Sequence, residues 1–411
     1  MTPLAATICL AIILSTALGV YLRLRQIACV AKRRDSVPAD FTATVTLDEH
    51  HRSADYTIAA TRLGLAGALY DGFVSLAWLL FGLAPLYALV SNSIPPSLTL
   101  SVALVLAFSI LSSLIDLPPS LARTFWLDTR FDFNRQTFSG FLRDWLKAGA
   151  LELALGVPAL YAMFALLQAA PDTWHFYAFV GFMALIFGFT AIYPTFIAPL
   201  FNRFAPLSDE PLRMRLEALL RKCGFASKGL FVMDASTRSS RGNAYFAGLG
   251  KSKRIVLFDT LLEKHTPDEI ESILAHELGH YKYGHIRQML ALAATLAFAG
   301  FLILHWALGP HGLASAFGLP AEPGLALVVA MLAKDPVSHI LSPLLAWRSR
   351  KAEFEADAFA GETVGIEPMI SALTRLTRDN LATLTPDRLY ARFYYSHPPV
   401  LLRVAHLRGG G

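Results

Sequence analysis

Seven apolar runs, near residues 3–22, 64–90, 97–117, 148–170, 175–201, 286–308 and 323–346, constrain this chain more than any other feature. A helix needs roughly 20 apolar residues to cross the hydrocarbon core of a bilayer, about 30 Å thick, and each run is long enough. The chain is 54% hydrophobic and only 16% charged, too apolar for an ordinary soluble protein of 411 residues. The expected fold is therefore a mainly α-helical polytopic membrane protein. The seventh run is the most interrupted, because Lys334, Asp335 and Pro336 fall near its middle.

A net charge of +5 raises the question of a nucleic-acid partner, and the placement of the basic residues answers it. They fall on alternate connections. Arg23, Arg25, Lys32, Arg33, Arg34, Arg52 and Arg62 crowd the first, and Arg123, Arg130, Arg135, Arg143 and Lys147 the third, whereas "SNSIPPS", "APDTW" and "GPHGLASAFGLPA" contain no Lys or Arg. Under the positive-inside rule this gives an outside N-terminus and a cytoplasmic C-terminus, which requires an odd number of spans. The charge is a topology signal, and no nucleic-acid partner is expected. The first run has no basic residue before it and a cluster straight after it, so it reads as a retained anchor. Cys9, Cys29 and Cys223 have no pairing or metal-type spacing.

No repeat or low-complexity tract divides the chain. The expected organisation is residues 1–201 as five membrane helices with their loops, 202–285 as the main soluble part, 286–346 as two further membrane helices, and 347–411 as a second soluble part. Within 202–285, "LRMRLEALLRKCGF" has helical periodicity, "KGLFVMDAS" reads as a strand, and "NAYFAGLGKSKRIVLF" reads as a hairpin. "TPDE", Thr266 to Glu269, has the form of a capping box with Pro at the first helical position.

The helix so opened carries HELGH, with His276 and His280 four residues apart. That spacing puts both imidazoles on one helix face, as two ligands of one tetrahedral zinc require. Glu277, about 100° round the helix from His276, is placed to act as a general base. Five-residue patterns arise by chance, so a third ligand must be found. A metzincin would need glycine at 283 and histidine at 286, where this chain has Tyr283 and Ile286. His285 is a poor candidate, because on a continuing helix it would point about 140° away from His280. In "SRKAEFEADAFA", Glu353 and Asp357 share a helix face; Glu353 is suited to bind metal and Asp357 to accept the free ring N–H of a ligating histidine. Two crossings separate His280 from Glu353, which returns them to the same side of the membrane. "GNAYFAG" offers an edge strand for an extended peptide, with Asn243 at its start, and "YYSHPPVLLR" places His397 in a Pro-rich turn. Each is also an ordinary turn arrangement.

Taken together, "RFDFNRQT", "SSRGNAYFAGLGKSKRIVLFDTLL", "HELGHYKYGH", "SRKAEFEADAFA" and "YYSHPP" resemble the type I CAAX prenyl proteases, gluzincin-type zinc metalloproteases of membranes, over most of the chain. The resemblance implies seven helices around a hydrated chamber, with a small α/β zinc-protease part on the cytoplasmic side. It implies one Zn2+ per chain held by His276, His280 and Glu353, Glu277 as the catalytic glutamate, Asp357 as the acid behind a ligand, and Asn243 and His397 as substrate and oxyanion contacts. Such a chamber would accommodate Asp71, His305, Lys334, Asp335 and His339 inside the spans. The implied partner is a peptide or protein substrate, prenylated in the family, met by a monomer in the lipid bilayer. Tyr281 stands where a Trp is expected and Glu355 where Gln is common, and neither is expected to touch the chemistry. With no retrieval signal in the tail, a bacterial inner membrane is favoured over the endoplasmic reticulum. The competing readings are a membrane-protein quality-control zinc protease without a prenyl requirement, and a zinc-binding transporter or structural protein with no catalysis.

Overall fold

Residues 1–225, 229–247, 254–309 and 312–409 are described by the computed structural model of the chain. Its first five long helices are α1 (Pro3–Lys32), α2 (Leu47–Ser91), α3 (Leu98–Asp128), α4 (Phe138–Ala169) and α5 (Trp174–Phe201). Thr2, Thr46, Ser97 and Thr137 start the first four, each hydroxyl accepting the backbone N–H three residues on. Glu49 completes a capping box with Thr46, so α2 begins far ahead of its apolar run, which starts near residue 64.

Between α5 and the next membrane helix lie β1 (Phe204–Pro206), α6 (Glu210–Lys222), β2 (Leu230–Met233), β3 (Ala244–Ala247), β4 (Arg254–Phe258) and α7 (Pro267–Lys282). The four strands form one sheet in the order β1-β2-β4-β3. β1 is antiparallel to β2, β2 parallel to β4, and β3 antiparallel to β4 with Ala244 opposite Leu257. The expected hairpin is thus present, while its turn at 248–253, and Lys228 of the expected strand, lie outside the described residues. β1 and β3 are the edge strands of the described sheet. The capping box of Thr266 and Glu269 opens α7 with Pro267 in its first turn, and the left-handed Gly284 (φ 67°) closes it.

The chain then continues through α8 (His285–Ala307), α9 (Pro323–Val364), α10 (Ile366–Asp379), α11 (Arg388–Tyr394) and α12 (Val400–Leu407). Seven helices among the described residues, α1 to α5, α8 and α9, are long and apolar enough to cross a membrane. The seventh does not stop where its apolar run does. With Pro336 and Pro343 inside it, α9 extends as one helix into the soluble part.

These helices pack as two closed circuits, α1-α2-α3-α9 and α3-α4-α5-α8-α9, sharing α3 and α9. Their outer faces carry exposed apolar side chains such as Phe73, Leu185 and Ile303, which lipid, not water, would cover. One apolar core gathers Leu83, Leu100, Leu104 and Val328, and another, in the soluble part, gathers Leu216, Leu257, Leu274 and Ala360. Beside the first of these cores, a cavity of about 270 Å³ among the helices is lined by Arg23, Asp71, Asp335 and His339, with Ile12 and Leu332 of that core. Lys334 Nζ meets Asp335 at 2.7 Å, and His305, in the last turn of α8, stacks on His175 with centroids 4.3 Å apart.

Candidate metal centre and active site

The site lies where α7 crosses α9. A Cβ at Gly279 would stand 2.9 Å from Ala356 Cα and 3.2 Å from its carbonyl oxygen, so a glycine in HELGH lets the two helices approach this closely. The approach brings three donors together: His276 Nε2 and His280 Nε2 are 3.1 Å apart, and the Glu353 carboxylate lies 3.4 Å from the first and 3.3 Å from the second. Tetrahedral zinc with bonds of about 2.0–2.1 Å holds its ligand atoms about 3.3 Å apart, so the spacing fits that ion. Two further observations fit a cation. Glu353 Oε2 is buried and faces cationic groups, His276 Nε2 at 3.4 Å and Arg403 Nη2 at 3.5 Å. Burial alone would lower the His276 pKa, yet its bonds to Asp357 and Glu353 outweigh that and push it up to about 9; a proton is held where a metal charge would neutralise the carboxylates.

Each imidazole is fixed from its far side. His276 Nδ1 lies 2.8 Å from Asp357 Oδ1. Arg403 of α12 donates to both oxygens of that fully buried carboxylate, at 2.7 and 2.6 Å. His280 Nδ1 lies 3.0 Å from His285 Nδ1, and His285 Nε2 lies 2.8 Å from Glu355 Oε2. Two expectations are corrected here. His285 does not point away, because Gly284 breaks the helix and swings the ring back onto His280. Glu355, expected not to touch the chemistry, reaches the site through His285, whose ring proton it accepts. Tyr281 packs edge-on against Phe225, with centroids 4.7 Å apart.

Glu277 is half-buried and makes no hydrogen bond among the described residues; burial raises its pKa. His397 is exposed, its Nε2 3.4 Å from Glu353 Oε1 and its Nδ1 2.9 Å from Ser396 Oγ. Arg350 of α9 donates to the carbonyls of Ala391, Arg392 and Tyr395 and so pins the tail that carries His397. Asn243 directly precedes β3, its Oδ1 accepting the Ala244 N–H at 2.8 Å and its carbonyl the Phe258 N–H at 3.0 Å. Arg403 and Arg350 were not singled out from the sequence. A signal existed for Arg403, a lone cation in the apolar helix "VLLRVAHL" six residues past His397.

Residues 26–203 match the family described as CAAX prenyl protease N-terminal, five membrane helices, and residues 206–410 match peptidase family M48. The chain is 33% identical to the CAAX prenyl protease 1 homolog of Arabidopsis thaliana, across 95% of this chain and 94% of that one. It is 32% identical to CAAX prenyl protease 1 of Saccharomyces cerevisiae, across 94% and 91%. The crystal structure of S. mikatae Ste24p superposes with a TM-score of 0.91 at 28% identity, covering 99% of both chains. From its membrane helices to its two-histidine helix, this chain belongs to the CAAX prenyl protease branch of the M48 family, multi-pass membrane metallopeptidases that act on peptide or protein substrates.

Proposed function

We propose that the protein is a zinc endopeptidase, with one ion per chain, that cleaves near the C-terminus of prenylated CAAX-type substrates. The observation that carries the reading is the set of three donors at zinc spacing, with the unpaired carboxylate of Glu277 next in sequence to a ligand. Similarity to CAAX prenyl proteases along almost their whole length supports the substrate class. His276, His280 and Glu353 would hold the ion, which supplies Lewis acidity to the scissile carbonyl and to the attacking water. Glu277 takes the proton from that water and later gives it to the leaving amine. His397 donates to the developing oxyanion, and β3 with Asn243 holds the peptide main chain. Asp357 with Arg403, and His285 with Glu355, keep the two imidazoles in the tautomer that leaves each Nε2 free.

Within this reading the helical circuits enclose a hydrated chamber, in keeping with Arg23, Asp71 and His339 around one cavity among the helices. The soluble parts, 202–285 and 347–411, face the cytoplasm with the active site, and the N-terminus faces the other side, as the basic connections indicate. Of the two membranes, the relatives named above, all eukaryotic, give no support to a bacterial one. A monomer suffices, since every group in the site comes from one chain.

The test is to assay purified enzyme on matched prenylated and unprenylated peptides, with Glu277→Gln alongside. Preference for the prenylated peptide, and zinc retained with activity down by several orders of magnitude in the variant, is the expected result. Equal rates on the two peptides would remove the prenyl requirement, and full activity of Glu277→Gln would remove the mechanism.

A further inference from the structure

A cleft of about 510 Å³ opens away from the metal centre, between the start of α4, the end of α5 and the segment around Asp234 to Arg238. Its walls carry five cationic side chains, Arg135, Arg143, Lys147, Arg203 and Arg238, against two carboxylates, Asp144 and Asp234, leaving three positive charges. Two of the cations build the walls. Arg238 donates to Asp144 at 2.9 Å, to Asn202 Oδ1 at 3.1 Å and to the Phe201 carbonyl, and Lys147 donates to the Leu200 carbonyl at 2.7 Å. Both carboxylates are engaged as well: Asp144 also accepts from Gln136 Nε2 at 3.0 Å, and Asp234 accepts the Arg203 backbone N–H at 2.7 Å. The guanidinium groups of Arg135, Arg143 and Arg203 remain. All three are exposed and none makes a hydrogen bond or ion pair among the described residues. Three like charges facing one space repel one another, an arrangement suited to an anion.

The surroundings decide which anion. Arg143 and Lys147 sit directly ahead of the apolar run 148–170, Leu200 lines the cleft, and on the membrane side of Arg143 and Arg203 the side chains of Leu146, Phe196 and Leu200 are exposed. An inorganic ion would use the cations and leave that apolar skirt uncovered. An amphiphile uses both. The start of α4 and the end of α5 thus present cations at headgroup depth and apolar side chains below them, as basic pockets between membrane helices do when they take lipid headgroups.

We propose that this cleft binds the phosphate of an anionic glycerophospholipid in the leaflet that faces the catalytic part. The bound headgroup would bridge two strands of chain already stitched together. The Arg135 N–H donates to the Arg238 carbonyl at 3.0 Å, the Ser240 N–H to the Phe133 carbonyl at 3.1 Å, and Asn134 pairs with Ser239. That seam ends just before Asn243 and β3. If β3 holds substrate, as proposed above, the lipid also lowers KM; the binding claim does not depend on it.

The test uses the full chain purified in mixed micelles of phosphatidylcholine and phosphatidylglycerol, with retained lipid counted by native mass spectrometry. One phosphatidylglycerol per chain should outlast phosphatidylcholine. Arg143→Gln with Arg203→Gln should weaken its retention roughly 25-fold, at about fivefold per cation. Arg135→Gln alone should weaken it about fivefold, and Lys32→Gln with Arg33→Gln, which removes equal charge from the end of α1, should not weaken it. Inorganic phosphate should fail to displace the lipid at millimolar concentration. Retention unchanged in the double variant, equal loss in the α1 control, or displacement by inorganic phosphate would each overturn the proposal.

Discussion

His276 and His280 turn their Nε2 atoms toward one another at 3.1 Å, and what distinguishes them lies on their far sides. His276 is held by a carboxylate that Arg403 grips with two bonds. His280 is held by a second histidine, which must itself be neutral, with its proton on Nε2 for Glu355, if its Nδ1 is to accept from His280. Removing a ligand and removing a support therefore have different signatures. Glu353→Ala should lose stoichiometric metal in equilibrium dialysis, while Asp357→Asn and His285→Ala should keep it at saturation with affinity weakened roughly 10 to 100-fold. Glu355→Gln should stay close to the parent, because an amide oxygen accepts the same ring proton, whereas Glu355→Leu should resemble His285→Ala. Stoichiometric zinc in Glu353→Ala would move the third ligand elsewhere. Glu353 and Asp357 were legible in the sequence because four-residue spacing on one helix fixes a shared face. His285 was misplaced because its position depends on a single left-handed glycine. Arg403 was missed because its partner is 46 residues away.

α7 meets α9 through Gly279 and meets α10 through Glu269, and both contacts position the site. A methyl at Gly279 would press on the backbone and Cβ of Ala356, neither of which can swing aside, so Gly279→Ala should separate the histidine pair from Glu353. The expected result is at least tenfold weaker zinc binding, with the soluble part still folded by circular dichroism, because site geometry fails before packing does. Glu269 is buried, and accepts the Thr266 N–H at 2.9 Å, Ser371 Oγ at 2.6 Å and Arg375 Nε at 3.1 Å. Burial alone would raise its pKa, but these three donors hold it below the ordinary carboxylate range. A pKa lowered by folding stabilises the protein above the unfolded value, near 4.3, and that stability is lost as pH falls through the folded value. Glu269→Gln should thus cost about 2 kcal/mol at neutral pH, read as a lower thermal inactivation midpoint. The gap between variant and parent should close on acidification below about pH 4; a gap independent of pH would mean that the glutamate acts by shape and not by charge. The capping box that starts α7 was visible as four residues of sequence. The burial of its glutamate against α10 was not, because Ser371 and Arg375 come from a helix about a hundred residues later.

Across the whole molecule, hydropathy located all seven spans but mistook their ends. Apolar runs mark where lipid touches a helix, whereas caps and packing decide where the helix begins and stops. That difference bears on function: α9 runs as one helix from the membrane into the site, so the helix that crosses the membrane also carries Glu353. The edge strand β3 completes the arrangement from the other side, since among the described residues it pairs with β4 alone. An extended substrate needs unpaired main-chain groups to register against, and this strand packs against the catalytic helix α7. An uncleaved peptide bound to Glu277→Gln should therefore lie antiparallel to β3, beginning beside Asn243. The exposed ring of His397, 3.4 Å from Glu353, would then stand where the carbonyl oxygen of the scissile bond develops charge. A donor used mainly in the transition state lowers kcat and not zinc content, so His397→Ala should lose about 10²-fold in turnover while dialysis finds its metal unchanged. Normal turnover from His397→Ala, or a peptide seated away from Asn243, would mean that the tail and the sheet edge do not form one cleft.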